Sequence, residues 1–124
     1  MKIKKVFIIS FNCYTKEFWK QVLNLNQVDL YHWKDYHNGI NNFTTVWPDI
    51  IIIEGGYPTK SITLCVESAL KLKCNSKVFW IDPTSSVDSE VESNKRLVVA
   101  PLSSDLVNQI NRNLHPVTIQ PHLN

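Results

Sequence analysis

Short apolar segments alternate with amphipathic segments along this chain. The apolar segments predict five strands: Lys4–Phe11, Val28–Trp33, Asp49–Glu54, Val78–Ile81 and Arg96–Ala100. The third contains four consecutive isoleucines, a pattern typical of a strand that is buried on both faces of a sheet. Helical periodicity predicts three helices between or after the strands: Tyr14–Leu25, Lys60–Leu72 and Ser103–Leu114.

Each predicted helix has one apolar face. The residues expected on these faces are Phe18, Val22 and Leu25; then Ile62, Cys65, Ala69 and Leu72; and finally Leu106, Ile110 and Leu114. Ser103 and Asp105 are the types of residue that favour a helix start. Asn38–Val46 is rich in Asn and Thr, so we expect at most a short helix or an irregular loop there. The segment 83–95 is polar, and a solvated loop or a weak helix is expected.

Five strands that alternate with connecting segments predict βαβ units and therefore a parallel sheet. Right-handed crossovers place helices on both faces of such a sheet. The length favours a flavodoxin-like α/β fold, a three-layer α/β/α sandwich with strand order 2-1-3-4-5. We expect one domain over residues 1–114 and a flexible tail over residues 115–124, which hold two prolines and few apolar residues.

Charge and composition exclude several classes of function. The chain has 124 residues and a net charge of +2 without a basic stripe, which argues against direct nucleic-acid binding. Its apolar segments are too short to span a bilayer, so no membrane partner is expected. The cysteines, Cys13, Cys65 and Cys74, are odd in number and scattered, which favours reduced thiols and a cytoplasmic location. The four histidines lack zinc-site spacing.

Candidate chemistry is concentrated where the third strand ends. Glu54 follows the isoleucines, two glycines come next, and Pro58 stands four residues after Glu54. This arrangement puts a carboxylate at the carboxyl edge of an open parallel sheet, where such folds build their sites. The fifth strand ends in Ala100 and Pro101, and a short turn then leads into the last helix.

These features resemble response-regulator receiver domains, and the resemblance extends from Lys4 to about Leu114. In that family a phosphoacceptor Asp ends the third strand, with Pro four residues later, and Lys-Pro ends the fifth strand. Glu54 is the equivalent of the phosphoacceptor here, and Ala100 takes the position of the Lys. The family's Mg²⁺-binding acidic pair corresponds to Ser10, Phe11 and Asn12, and its Thr or Ser after the fourth strand corresponds to Asp82.

These substitutions predict a degenerate pocket, formed by Ser10, Phe11, Asn12, Asp82, Ala100 and Pro101 around an inactive Glu54. Mg²⁺ prefers oxygen ligands that normally include carboxylates, and phosphoryl transfer depends on neutralising negative charge. The resemblance therefore implies a pseudo-receiver that works without phosphorylation, catalysis or a cofactor. Receivers usually bind partners or dimerise through their fourth helix, fifth strand and fifth helix. The corresponding partner face holds Leu102, Asp105, Asn108, Gln109 and Arg112.

Other interpretations of Glu54 remain open at this stage. It can mimic a phosphorylated Asp, or it can be an ordinary polar residue that ends a strand at the solvent edge. Glu54 and Asp82, helped by Asn12, can hold a divalent cation, or their side chains can point apart. A broader alternative is a small enzyme or a ligand-binding or metal-binding domain, with its site at the same sheet edge.

Two further groups of side chains have a functional and a structural interpretation. Cys13 follows the first strand, where some phosphate-handling enzymes place a nucleophilic Cys, but the Gly-rich turn and following Arg of those enzymes are absent. Trp33, Tyr31 and Tyr36 lie on or after an edge strand, so they can form a partner surface or pack in the core.

Overall fold

The computed structural model describes residues 2–12, 15–54, 60–72, 76–82 and 94–116. Its strands are β1 (Lys4–Ile9), β2 (Val28–Trp33), β3 (Ile50–Glu54), β4 (Lys77–Ile81) and β5 (Leu97–Ala100). Its helices are α1 (Thr15–Val22), α2 (Tyr36–Val46), α3 (Lys60–Leu70) and α4 (Ser104–Leu114). Cys13, Cys74, the glycines and Pro58 after β3, and most of the segment 83–95 and of the tail lie outside the described residues.

All five strands pair in parallel in the order β2-β1-β3-β4-β5, which confirms the predicted sheet. The four isoleucines of β3 hold the central strand in the core. Ile51 and Ile53 belong to the core layer on the α2 and α3 side, and Ile50 and Ile52 belong to the layer on the α1 and α4 side. Each is at most 2% exposed. The central strand is therefore covered on both faces, as the sequence predicted.

Several predicted boundaries were too wide: β1 ends at Ile9, α1 at Val22 and α3 at Leu70. The predicted inner face of α1 was also wrong in one respect. Trp19 is fully buried and Leu23 is 6% exposed, whereas Phe18 is 36% exposed and stacks edge-on against Trp19. Helix α1 is therefore rotated by about one residue relative to the prediction, so that Trp19 rather than Phe18 faces the core.

The prediction for Asn38–Val46 was wrong, because α2 is an 11-residue helix. Asp35 caps its start by accepting a hydrogen bond from the main-chain N–H of Asn38 at 2.7 Å. Phe43 is buried beneath it, and Gly39 lies so close to β1 that an added Cβ would stand 2.7 Å from Cδ1 of Ile9. A cap and tertiary packing thus outweigh the weak helix propensity of Asn and Thr.

The aromatic residues near β2 serve the core. The rings of Tyr31 and Trp33 each pack 5.6 Å from the ring of Phe7, and Tyr36 is 5% exposed. Cys65 is fully buried on α3, as predicted for a small core residue. Within the described part of the chain, no helix is long and apolar enough to cross a membrane.

Helix α4 follows its prediction closely. The Ser103 hydroxyl caps the helix by accepting a hydrogen bond from the main-chain N–H of Leu106 at 3.1 Å. Leu106, Ile110 and Leu114 are buried on its inner face. The predicted partner face is therefore left on the outer side of α4.

Arg96 joins the start of β5 to the end of α3. Its guanidinium donates to four main-chain carbonyls at 2.8 to 3.2 Å: those of Ala69, Leu70, Leu72 and Ser76. The last carbonyls of a helix have no partner within the helix, so a planar cation with five donors is well suited to them. Arg96 therefore holds the end of α3 against the sheet.

We predict that Arg96→Lys lowers the free energy of unfolding by about 1–3 kcal/mol, because one ammonium group cannot reach four carbonyls. Urea denaturation followed by circular dichroism measures this loss. Lys95→Gln, which changes an exposed neighbouring cation, serves as the control and should stay within about 0.5 kcal/mol. Equal stability of the Arg96 variant and the natural protein would contradict the role of Arg96.

Candidate functional site

The carboxyl ends of four strands bring Ser10, Glu54, Asp82 and Ala100 to one edge of the sheet. Glu54 pairs with the last residue of β4, and that residue in turn pairs with Ala100. The main-chain N–H of Asp82 donates to the carbonyl of Ala100 at 3.0 Å. Ser10 directly follows the paired end of β1. The positions that the sequence singled out are therefore neighbours along this edge.

The carboxylate of Glu54 is held by α1. The Thr15 hydroxyl donates to Oε2 at 2.7 Å, and the Trp19 indole N–H donates to Oε1 at 2.7 Å. Trp19 is fully buried and Thr15 is 3% exposed. Hydrogen bonds to an ionised acceptor are short and strong, particularly where water is excluded. Each carboxylate oxygen of Glu54 therefore already has a donor.

The main chain of Glu54 contacts the Tyr36 hydroxyl, and the ring of Tyr36 in turn contacts Phe11. The Tyr36 hydroxyl donates to the Glu54 carbonyl over a long 3.4 Å contact. Burial, and to a lesser extent the nearby Cys65 thiol, raises the pKa of Tyr36 to about 12, so this hydroxyl keeps its proton. The ring of Phe11 meets that of Tyr36 edge-on at 5.1 Å while Phe11 itself is 67% exposed.

The turn after β1 is organised by main-chain contacts. The Ser10 hydroxyl accepts a hydrogen bond from the Asn12 N–H at 3.1 Å, and the Asn12 carbonyl accepts one from the Thr15 N–H at 3.2 Å. Nε2 of His32 lies 2.9 Å from the Ser10 carbonyl and donates to it. The side chains at this strand end thus shape the entry to α1, and no carboxylate is among them.

Asp82 stands apart from Glu54 in its interactions. It is exposed, its φ is 51°, and its Oδ2 accepts a long 3.5 Å contact from the Leu102 N–H. Asp is one of the few side chains that adopt this left-handed conformation readily. Within the described ranges, no three His, Cys, Asp or Glu side chains cluster as a metal site. A cation shared by Glu54 and Asp82 would have to compete with the donors on α1.

The remaining predicted site residues lie where β5 leads into α4. Ala100 is half-buried and packs against the core layer of α1 and α4, and Pro101 is exposed. The partner face is largely solvent-accessible: Leu102, Asp105, Asn108 and Arg112 are exposed and Gln109 is half-buried.

Thr15 and Trp19 were not identified as site residues from the sequence. Their spacing of four places both side chains on one face of a helix that begins just after β1. This spacing is visible in the sequence. However, Phe18, Val22 and Leu25 form an apolar face with nearly the same spacing, and the sequence alone favoured that face as the inner one. The contact with Glu54 shows which of the two faces turns inward.

We predict that Trp19→Phe lowers the free energy of unfolding by about 1–3 kcal/mol more than Trp80→Phe. Both changes shrink a buried ring, but only Trp19 loses a hydrogen bond to a carboxylate. The Trp80 indole N–H is buried and has no hydrogen-bond partner among the described residues. Urea denaturation followed by circular dichroism compares the two variants, and equal losses would contradict the proposed importance of the Glu54 contact.

No family model matches the sequence, and no curated protein matches it closely enough to be counted as a relative. Solved structures do match the fold. A CheY-like response regulator receiver domain protein from Methanospirillum hungatei JF-1 gives a TM-score of 0.71 at 17% identity, covering 91% of this chain and 94% of that one. The signal receiver domain of a putative Luxo repressor protein from Vibrio parahaemolyticus gives 0.69 at 17% identity, covering 92% and 91%.

Two further structures show the contexts in which this fold occurs. The response regulator domain of Thermotoga maritima CheB gives a TM-score of 0.64 at 13% identity and covers 94% of this chain and 100% of that domain. The lysine decarboxylase LdcF of Francisella novicida gives 0.64 at 12% identity, covering 92% of this chain but only 17% of the enzyme. At these identities the likeness establishes the fold alone. The chain therefore has a receiver-like fold, the flavodoxin-like fold seen in these CheY-like proteins.

Proposed function

We propose that this domain is a pseudo-receiver: a signalling or protein-interaction module that acts without being phosphorylated. The observation that carries the proposal is the pair of 2.7 Å hydrogen bonds from α1 to the Glu54 carboxylate. A carboxylate that accepts a phosphoryl group has to present a free oxygen to the donor. In this domain each oxygen already accepts a hydrogen bond from α1, and the two donors, Thr15 and Trp19, are themselves buried.

The surroundings of Glu54 support the same proposal electrostatically. Phosphoryl transfer requires cations that neutralise the developing negative charge. The strand ends here present Ser10 and Ala100, and the exposed carboxylate of Asp82 adds negative charge along the same edge. A dianionic group would gain little stabilisation from these side chains.

We further propose that the domain has no catalytic activity of its own. The alternative, a small enzyme or a ligand-binding or metal-binding domain at this edge, finds no cluster of three metal-binding side chains within the described ranges. Cys13, the candidate nucleophile, lies outside the described residues. The cytoplasmic location stays a prediction from cysteine usage.

The proposed partner face consists of Leu102, Asp105, Asn108, Gln109 and Arg112. An exposed apolar residue beside an acidic and a basic residue is a suitable combination for a protein contact, since apolar area contributes affinity and charge contributes specificity. The proposal is that a protein partner or a second copy of the domain docks here.

We predict no stable phosphoryl adduct when the domain is incubated with Mg²⁺ and acetyl phosphate, because each Glu54 oxygen already accepts a hydrogen bond from α1 and, within the described ranges, Glu54 forms no ion pair with a cationic side chain. Mass spectrometry of the intact protein measures this, with a phosphorylatable receiver domain treated in parallel as the positive control. A stoichiometric adduct on Glu54 or on Asp82 would contradict phosphorylation independence.

We also predict that reversing charge on α4 abolishes partner capture. Asp105→Lys with Arg112→Glu changes the partner face without changing net charge, so general electrostatic attraction is preserved. Glu67→Lys with Lys71→Glu makes the same exchange on and just after α3 and serves as the matched control. Affinity capture and sedimentation equilibrium test hetero-association and self-association. Equal association by both double variants would contradict a partner face on α4.

A further inference from the structure

Helix α1 contacts two parts of the domain: the Glu54 carboxylate and helix α4. Thr15, its first residue, and Trp19, its fifth, donate to the Glu54 carboxylate. Its last residue, Val22, and the following Asn24 are bonded to α4. The helix has eight residues and is therefore only about 12 Å long. A helix this short is not stable alone in water, so its contacts decide its position.

Two side chains of the α4 region bind the end of α1. Asn111 donates through Nδ2 to the Val22 carbonyl at 3.1 Å and accepts through Oδ1 from the Asn24 N–H at 2.8 Å. His115 donates through Nε2 to the Asn24 carbonyl at 2.7 Å. These contacts satisfy main-chain groups that have no partner within α1. The end of α1 is consequently fixed to α4 by specific, directional bonds.

Apolar packing fills the space between these two ends. Trp19 and Leu23 of the α1 region share one core layer with the inner face of α4, formed by Leu106, Ile110 and Leu114. Trp19 is thus both the donor to Glu54 and part of the layer that supports α4. Close-packed layers transmit displacements because they leave little free volume.

We propose that α1 couples the state of the Glu54 carboxylate to helix α4, and through α4 to the partner face. When both oxygens accept their bonds, α1 is held in one position and Asn111 and His115 are satisfied. When that pairing is broken, α1 loses the hold on Thr15 and Trp19, and the contacts at its end rearrange with it. The assignment of α4 as a partner face rests on the proposed function; the coupling between Glu54 and α4 does not.

An open cleft connects this junction with the partner face. It has a volume of about 290 Å³ and is lined by Asn24, Asn108, Asn111, Arg112 and His115. Asn108 and Arg112 belong to the partner face, whereas Asn111 and His115 hold α1. A partner that covers Asn108 and Arg112 therefore also lies against Asn111 and His115. Coupling between two sites is reciprocal, so a bound partner would also stabilise the bonds at Glu54.

A double-mutant cycle on the isolated domain tests the coupling without any partner. Glu54→Gln keeps the shape of the side chain but replaces one acceptor oxygen by an amide donor. Asn111→Ala removes the bridge between the helices. Each variant changes the unfolding equilibrium constant by some factor. We expect the factor for the double variant to differ by twofold or more from the product of the two single factors, as for residues in one network.

Asn113→Ala provides the matched control on the same helix, because the Asn113 side chain donates to the Gln109 carbonyl within α4 and, among the described residues, forms no hydrogen bond to α1 like that of Asn111. In the cycle of Asn113→Ala with Glu54→Gln, the factor for the double variant should equal the product of the two single factors to within twofold. A multiplicative result for Asn111, or an equal departure for Asn113, would overturn the proposal.

Amide chemical shifts provide a second readout that a purely local loss of stability would not produce. Glu54→Gln should shift the amides of residues 108–115, and Asn111→Ala should abolish these shifts whereas Asn113→Ala should keep them. If Glu54→Gln does not fold, Trp19→Phe perturbs the same contact from α1. Unshifted α4 amides, or shifts that persist without Asn111, would overturn the coupling while leaving the proposal of a partner face on α4 intact.

Discussion

The carboxylate of Glu54 is the point at which the centre of the sheet is joined to helix α1. It ends a strand whose four isoleucines are buried in two core layers, and its main chain pairs with the end of β4. Its side chain then fixes α1 through Thr15 and Trp19. Because a buried or half-buried charge is stable only when it is well hydrogen-bonded, this single contact determines which face of α1 turns inward. The packing of Trp19 against α4 follows from it.

Under the proposed function, this contact accounts for a receiver-like fold that works without phosphorylation. A phosphoacceptor site depends on a carboxylate that is accessible and surrounded by cations. Here the carboxylate is hydrogen-bonded to α1, and the neighbouring strand ends carry Ser10 and Ala100, which have no positive charge. We therefore propose that this edge of the sheet supports the fold and that the outer side of α4 serves for interaction.

The sequence was sufficient to predict the sheet, because β-branched segments, turn positions and connection lengths allow few arrangements of a parallel α/β fold. It also predicted the cap and the inner face of α4. It did not predict the rotation of α1, since Phe18 and Trp19 are adjacent aromatic residues and their periodicities are equally good. Nor did it predict α2, whose stability comes from Asp35 and from close packing of Gly39 on Ile9. The roles of Arg96 and Asn111 were hidden for a similar reason: each binds main-chain groups, and apolar periodicity contains no information about such bonds.

The proposed pseudo-receiver function requires that the hydrogen bonds from α1 keep the Glu54 carboxylate from phosphoryl chemistry. The indole N–H of Trp19 reports on this contact directly, because it donates to Oε1. Its signal in a ¹H–¹⁵N spectrum can be followed while Mg²⁺ and beryllofluoride, an analogue of the phosphoryl group, are added. We expect a slowly exchanging indole proton whose chemical shift stays the same throughout the titration. A saturable change in that shift, together with faster exchange of the indole proton, would contradict it.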